Sequence, residues 1–144
     1  MQIRDIMTHP VRTVKAMASV QFAAEMMALH DVGALPVTLD EKLVGILTDR
    51  DVVIRCLAAG LDPQNTEVER IMTTHPVALS PDAPIEEAAH TFTNLRIRRL
   101  PIVEHDYPVG MLTVDDIARQ WDDAASILIM ARRIAPRNRR PSVA

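Results

Sequence analysis

Apolar and polar positions change period along this chain in a fixed order, and they do so twice. Between Ser19 and His30 the apolar residues Phe22, Met26, Met27 and Leu29 recur at helical spacing, behind a serine suited to cap the first turn. Val11 to Val14, following Pro10, reads as a short extended piece before that helix. Gly33 is expected to close the helix. Pro36 to about Leu39 and Leu43 to Leu47 read as two strands around Asp40-Glu41-Lys42, a hairpin. Thr48 then opens a second helix that Gly60 ends.

The same order returns further on. Thr66-Glu67-Val68-Glu69 is a capping-box pattern ahead of a short helix into Ile71-Met72. Pro84 suits the first position of the next helix, and Glu86 and Glu87 suit its positive end. Strands near Leu100–Val103 and Val109–Leu112 flank Asp106. A last helix begins at about Val114.

Particular residues repeat along with the pattern. Ile6-Met7-Thr8 returns as Ile71-Met72-Thr73, Leu35-Pro36-Val37 as Leu100-Pro101-Ile102, and Gly45-Ile46-Leu47-Thr48 as Gly110-Met111-Leu112-Thr113, each 65 residues later. His9-Pro10-Val11 returns as His75-Pro76-Val77, 66 residues later. Four blocks in one order indicate an internal duplication. Each unit is β-α-β-β-α, too small to cover both its faces alone. The expected fold is therefore α/β (α+β), two such repeats packed sheet to sheet around a pseudo-two-fold axis. The expected boundaries are 1–62 and 63–122 for the repeats, 123–135 for a C-terminal helix and 136–144 for a disordered, Arg-rich tail.

Composition narrows the class. The chain has 144 residues, 48% of them apolar but only 3% aromatic. No apolar run reaches the roughly 18 residues of a membrane span, and the first residues lack the apolar stretch of a secretory signal. A cytoplasmic protein is expected. The lone Cys56 excludes an internal disulfide and reads as packed in its helix. Five of the sixteen bases, Arg132, Arg133, Arg137, Arg139 and Arg140, lie beyond every acid. The rest of the chain has eleven bases against nineteen acids, a net charge of −8.

On Ile6-Met7-Thr8, Gly33-Ala34-Leu35-Pro36-Val37, Gly45-Ile46-Leu47-Thr48-Asp49-Arg50-Asp51 and their second copies, residues 2–121 resemble a tandem pair of CBS domains (a Bateman module). Val32 to Asp62 is similar to small stand-alone bacterial proteins of this kind, including the hypoxic-response type. The resemblance implies two clefts between the paired sheets, and many members bind AMP, ADP, ATP, S-adenosylmethionine or a dinucleotide such as NAD there. By that resemblance the first cleft combines Thr8, Val11, Val32 and Gly33 with Arg98, Arg99, Thr113, Asp115 and Asp116. The second combines Thr73 and Val77 with Thr48, Arg50 and Asp51. No cofactor is required. A homodimer is the assembly the resemblance implies.

The residue types suit that role. A carboxylate with two acceptor oxygens can take both hydroxyls of a ribose, the part given to Asp51 and Asp116. A threonine three residues earlier reaches the ribose or the first phosphate, and free N–H groups at a helix start favour an anion. The alternative is local: Thr48-x-x-Asp51 and Thr113-x-x-Asp116 are also capping boxes, which stabilise a helix with no ligand. Arg96, Arg98 and Arg99 cluster before Leu100, whereas the first repeat has Gly33 and Ala34 where the second has Arg98 and Arg99. The Arg98, Thr113 and Asp116 cleft is thus the better phosphate site. His9 and His75 occupy equivalent places, but two histidines without a third ligand make a poor metal site. Met26-Met27 reads as core, and Trp121 as a contact for a partner chain.

The leading expectation is a non-catalytic regulatory module that binds an adenosine nucleotide and signals to a partner protein through conformation or dimer contacts. A protein–protein module with empty clefts, and nucleic-acid binding through the basic tail, are the alternatives. No nucleophile has a base beside it in any motif, so no enzyme is expected.

Overall fold

The structure is a computed structural model and describes residues 1–120. The expected helix over 123–135, the tail over 136–144 and Trp121 lie outside the described residues. The order is β1 (Val14–Lys15), α1 (Val20–His30), β2 (Ala34–Leu39), β3 (Lys42–Thr48) and α2 (Asp49–Asp51), which runs on as a π-helix over Val52–Leu57. Then come β4 (Thr73–Thr74), α3 (Ile85–Leu95), β5 (Arg99–Glu104), β6 (Tyr107–Thr113) and α4 (Val114–Gln120). Single 3₁₀ turns at Ile3–Asp5 and Val68–Arg70 open the two halves. No helix among the described residues is long and apolar enough to cross a membrane.

The two hairpins are copies in register as well as in sequence. Val37 faces Gly45 and Ile102 faces Gly110, and each pair sits beside a bulge at the same place. Both turns place two consecutive residues at positive φ, Asp40 and Glu41 in one and His105 and Asp106 in the other. That conformation twists a two-residue loop as the flanking strands require.

The duplicated elements do not pack only on their own copy. β4, from the second repeat's opening segment, pairs with β3 of the first. In the mirror relation, Thr8 pairs with Met111 of β6. The cores follow suit. Ile3 is fully buried with Phe92, Leu100, Ile102 and Leu112, whereas Val68 and Ile71 are buried with Val20, Leu35, Val37 and Leu47. An ion pair and hydrogen bonds from Arg4 to Asp82 hold the first turn on the second repeat, and that contact raises the arginine's pKa.

Two glycines make this exchange of segments fit. A Cβ on Gly45 would overlap the Met72 sulfur and stand 2.9 Å from the Thr73 carbonyl. A Cβ on Gly110 would stand 2.5 Å from the Met7 sulfur and 3.2 Å from the Thr8 carbonyl. Each Ile-Met-Thr block therefore lies across a glycine of the opposite repeat.

Several local expectations change. The first extended piece forms as Val14–Lys15, not Val11–Val14. Ser19 caps α1 as expected, its Oγ accepting from Phe22 N at 3.0 Å. The buried face of that helix is Val20, Ala23 and Met27, with Phe22 and Leu29 exposed. Asp31, at φ 51°, ends α1 in the left-handed conformation, not Gly33, and Arg96 does the same for α3. Pro84 is the residue before α3. The expected box at Thr66 does not form: its buried hydroxyl donates back to Asp62 O at 2.7 Å. Cys56 is buried, as expected, with its thiol 3.6 Å from Leu61 O.

Candidate functional site

The strand-to-helix junctions are the most regular local feature. Thr48 Oγ1 accepts from Asp51 N at 3.1 Å, and Thr48 N donates to Asp51 Oδ2 at 2.9 Å. Thr113 and Asp116 repeat this at 3.2 and 2.8 Å. Both are complete capping boxes, so the local alternative is realised at both junctions. One carboxylate oxygen of each aspartate is committed to its own helix start.

The second oxygen also has a neighbour. Arg119 donates to Asp116 Oδ1 at 2.6 Å, one turn along α4. Arg55 lies 3.6 Å from Asp51 Oδ1 and donates to the carbonyls of Ile71 and Met72 at 3.2 and 3.4 Å. The Asp116 and Asp51 side chains are only 10% and 13% exposed, so an ion partner offsets part of their desolvation. Neither arginine was singled out from the sequence, although Asp-to-Arg spacings of three and four residues are the signal for such pairs.

A cleft of about 290 Å³ opens beside the second junction. Six of the expected residues meet there: Thr8, Val11, Val32, Gly33, Arg99 and Thr113. Arg98, Asp115 and Asp116 are not among its lining residues. Arg98 is exposed, and its carbonyl accepts from Val114 N at 3.1 Å. Arg99, the first residue of β5, is half-buried and turns to the cleft instead.

Gly33 makes room for Arg99. A Cβ there would stand 2.8 Å from the guanidinium Nη2 and 3.2 Å from Asp49 Oδ2. The guanidinium of one repeat thus lies against a bare backbone position of the other, with an aspartate close by. Arg12 and Asp31 also line the cleft, as do Pro10, Ala34 and Met111. The sequence reading missed these five. For Met111 the signal was available: it lies two residues before Thr113 on a strand, hence on the same face.

The second set is more open. Thr73, Val77 and Arg50 are exposed and Thr48 half-buried. Thr73 is engaged through its backbone with Ile46. At the position of the first repeat that corresponds to Arg99 stands Ala34, which brings no charge to this second set. Among the described residues no group of three or more His, Cys, Asp or Glu side chains is placed to hold a metal ion.

Comparison with known proteins gives this geometry a context. The chain matches the CBS domain twice, over residues 3–57 and 68–123. It is 40% identical over 116 residues to the CBS domain-containing protein YhcV of Bacillus subtilis, covering 81% of this chain and 82% of that one. The crystal structure of Hypoxic Response Protein I with two coordinated zinc ions superposes with a TM-score of 0.77 at 37% identity, over 84% of this chain and 99% of that one. The CBS domain pair of protein MJ0100, in complex with 5′-methylthioadenosine and S-adenosyl-L-methionine, gives 0.74 at 29%, over 83% and 94%.

Proposed function

The chain belongs to the CBS-domain family as a tandem pair, a regulatory module, and from that premise we propose that it binds an adenosine nucleotide in the cleft of Thr8, Gly33, Arg99 and Thr113. The observation that carries the reading is the lodging of Arg99 against Gly33 at the wall of a pocket drawn from both repeats. A guanidinium at that wall offers a fork to phosphate oxygens, with Arg12 as a second cation. The Thr113 hydroxyl and the backbone near Val32 supply polar contacts for the nucleoside.

The pocket's size favours a small ligand. About 290 Å³ is at the lower end of the roughly 300–1,000 Å³ usual for ligand sites. AMP or another compact adenosine compound suits it better than ATP or NAD. The bound crystal neighbour, with 5′-methylthioadenosine and S-adenosylmethionine, supports the same class. Binding would fix the angle between the repeats, because the walls come from both. The module is read as non-catalytic, signalling to a partner protein.

Val53, Ile54 and Leu57, each at least half exposed on the π-helix, support assembly as a homodimer through that face. A second reading, a protein–protein module with empty clefts, rests on one observation. Both oxygens of Asp51 and of Asp116 already face partners within the chain.

A thermal-shift series with AMP, ADP, ATP, NAD and S-adenosylmethionine tests the proposal. At about one hundred times its dissociation constant a ligand should add ~2.7 kcal/mol to stability. The expected result is a rise with AMP that exceeds the rise with NAD. No rise with any of the five favours the empty-cleft reading.

A further inference from the structure

We propose that a second, separate ligand site lies in the groove between helix α1 of the first repeat and the β5–β6 hairpin of the second, and that it takes a free amino acid with a large apolar side chain. The groove encloses about 670 Å³. Aromatic residues are scarce in this chain, two Phe, one Tyr and one Trp. Of the three in the described residues, Phe92 is fully buried in the core. The other two, Phe22 and Tyr107, are 48% and 43% exposed and both line this groove, one from each repeat. Met26 and Pro108 extend the same apolar wall.

The polar groups in the groove lack other work. Thr38 is 8% exposed, lines the groove, and its hydroxyl makes no hydrogen bond among the described residues. Among the described residues no side-chain polar atom is both sealed from solvent and unpaired, so this hydroxyl opens on the groove, a donor and an acceptor within reach of a guest. Lys15 and Glu41 also line the groove, and neither is ion-paired among the described residues. One unpaired cation and one unpaired anion beside an apolar wall suit a guest with both charges on one carbon and an apolar side chain projecting from it. The carboxylate would meet Lys15, the ammonium Glu41, and the side chain Phe22, Met26 and Tyr107. A nucleotide suits this groove poorly, because Glu41 repels phosphate.

This site does not depend on the nucleotide reading. The groove and the nucleotide cleft share Val11, but Tyr107 opens β6 and Thr113 closes it, roughly 20 Å apart along the strand. Occupancy would nevertheless act on the same relation between repeats, since α1 and the hairpin belong to different ones.

The test uses the full chain, with L-phenylalanine, L-leucine and L-methionine as probes and N-acetyl-L-leucine amide, which lacks both charges, as the control. Titrations are followed by two-dimensional NMR. The expected result is saturable binding of at least one free amino acid, with shifts at Phe22, Thr38 and Tyr107 and none of that kind with the amide. Lys15→Gln and Glu41→Gln, both at exposed positions, should each weaken it at least about tenfold, or ~1.4 kcal/mol. The proposal is overturned by no saturable shift at about ten times a millimolar dissociation constant, by equal binding of the amide, or by shifts confined to Thr8 and Arg99. AMP added to the same samples separates the two sites: its failure, with amino-acid binding intact, removes only the nucleotide reading.

Discussion

Thr8 and Met111 exchange backbone hydrogen bonds in both directions, Thr8 N to Met111 O at 2.9 Å and Met111 N to Thr8 O at 3.1 Å. The pair joins the opening segment of the first repeat to the last strand of the second. With Ile3 buried beside Leu100 and Leu112, it makes the first eight residues a structural part of the second repeat. The cleft that Arg99 and Thr113 line is lined by both members of the pair as well.

Ile3→Ala should therefore unfold the distant repeat first. The cost is expected at about 2–5 kcal/mol for a fully buried isoleucine. Hydrogen exchange should show lost protection in Arg99–Glu104 and Tyr107–Thr113 before Ala34–Leu39. Loss confined to the first hairpin would contradict the exchange of segments.

Gly45→Ala and Gly110→Ala should each destabilise the fold by about 1–3 kcal/mol, through overpacking against the opposite repeat. Rescue by truncating the facing methionine should differ. At Gly110 the Met7 side chain is the nearest obstacle and the Thr8 carbonyl stands back at 3.2 Å, so Met7→Ala should recover most of the loss. At Gly45 the Thr73 carbonyl remains at 2.9 Å, so Met72→Ala should recover less. Double-mutant cycles from urea unfolding measure both.

Much of this was legible because it is local. The hairpins, the Ser19 cap and the Thr-x-x-Asp boxes depend on residues within a few positions of one another. Which copy a segment packs on is not local. Ile6-Met7-Thr8 reads the same whether it covers Gly45 or Gly110, and only tertiary packing decides. The choice of Arg99 over Arg98 turned on strand alternation, with β5 beginning at Arg99. The exit from α1 fell to Asp31 because a short polar side chain tolerates the left-handed conformation that glycine was expected to supply. The partners of the aspartates, Arg55 and Arg119, lie on the same helices and were readable from spacing.

Thr113→Val should cost about 0.5–2 kcal/mol without any ligand present, because Asp116 N loses the oxygen it donates to. Thr113→Ser keeps that acceptor and should be close to neutral. Chemical denaturation midpoints compare the two, and equal losses would mean that packing of the methyl group matters more than the cap.

Gly33→Ala should leave stability nearly unchanged while displacing Arg99, because the nearest atom to the new methyl is the end of a flexible side chain. Its effect should appear in nucleotide affinity, a drop of about tenfold or ~1.4 kcal/mol. A large loss of stability with normal affinity would place the glycine's role in folding instead.

The most direct measurement is calorimetric titration of AMP into the wild-type chain, Arg99→Ala and Arg98→Ala. Arg99 lines the cleft and Arg98 is exposed outside its lining. The account predicts saturable binding by the wild type, at least about tenfold weaker binding by Arg99→Ala, and unchanged binding by Arg98→Ala. No binding by the wild type, or equal losses in the two variants, would contradict it.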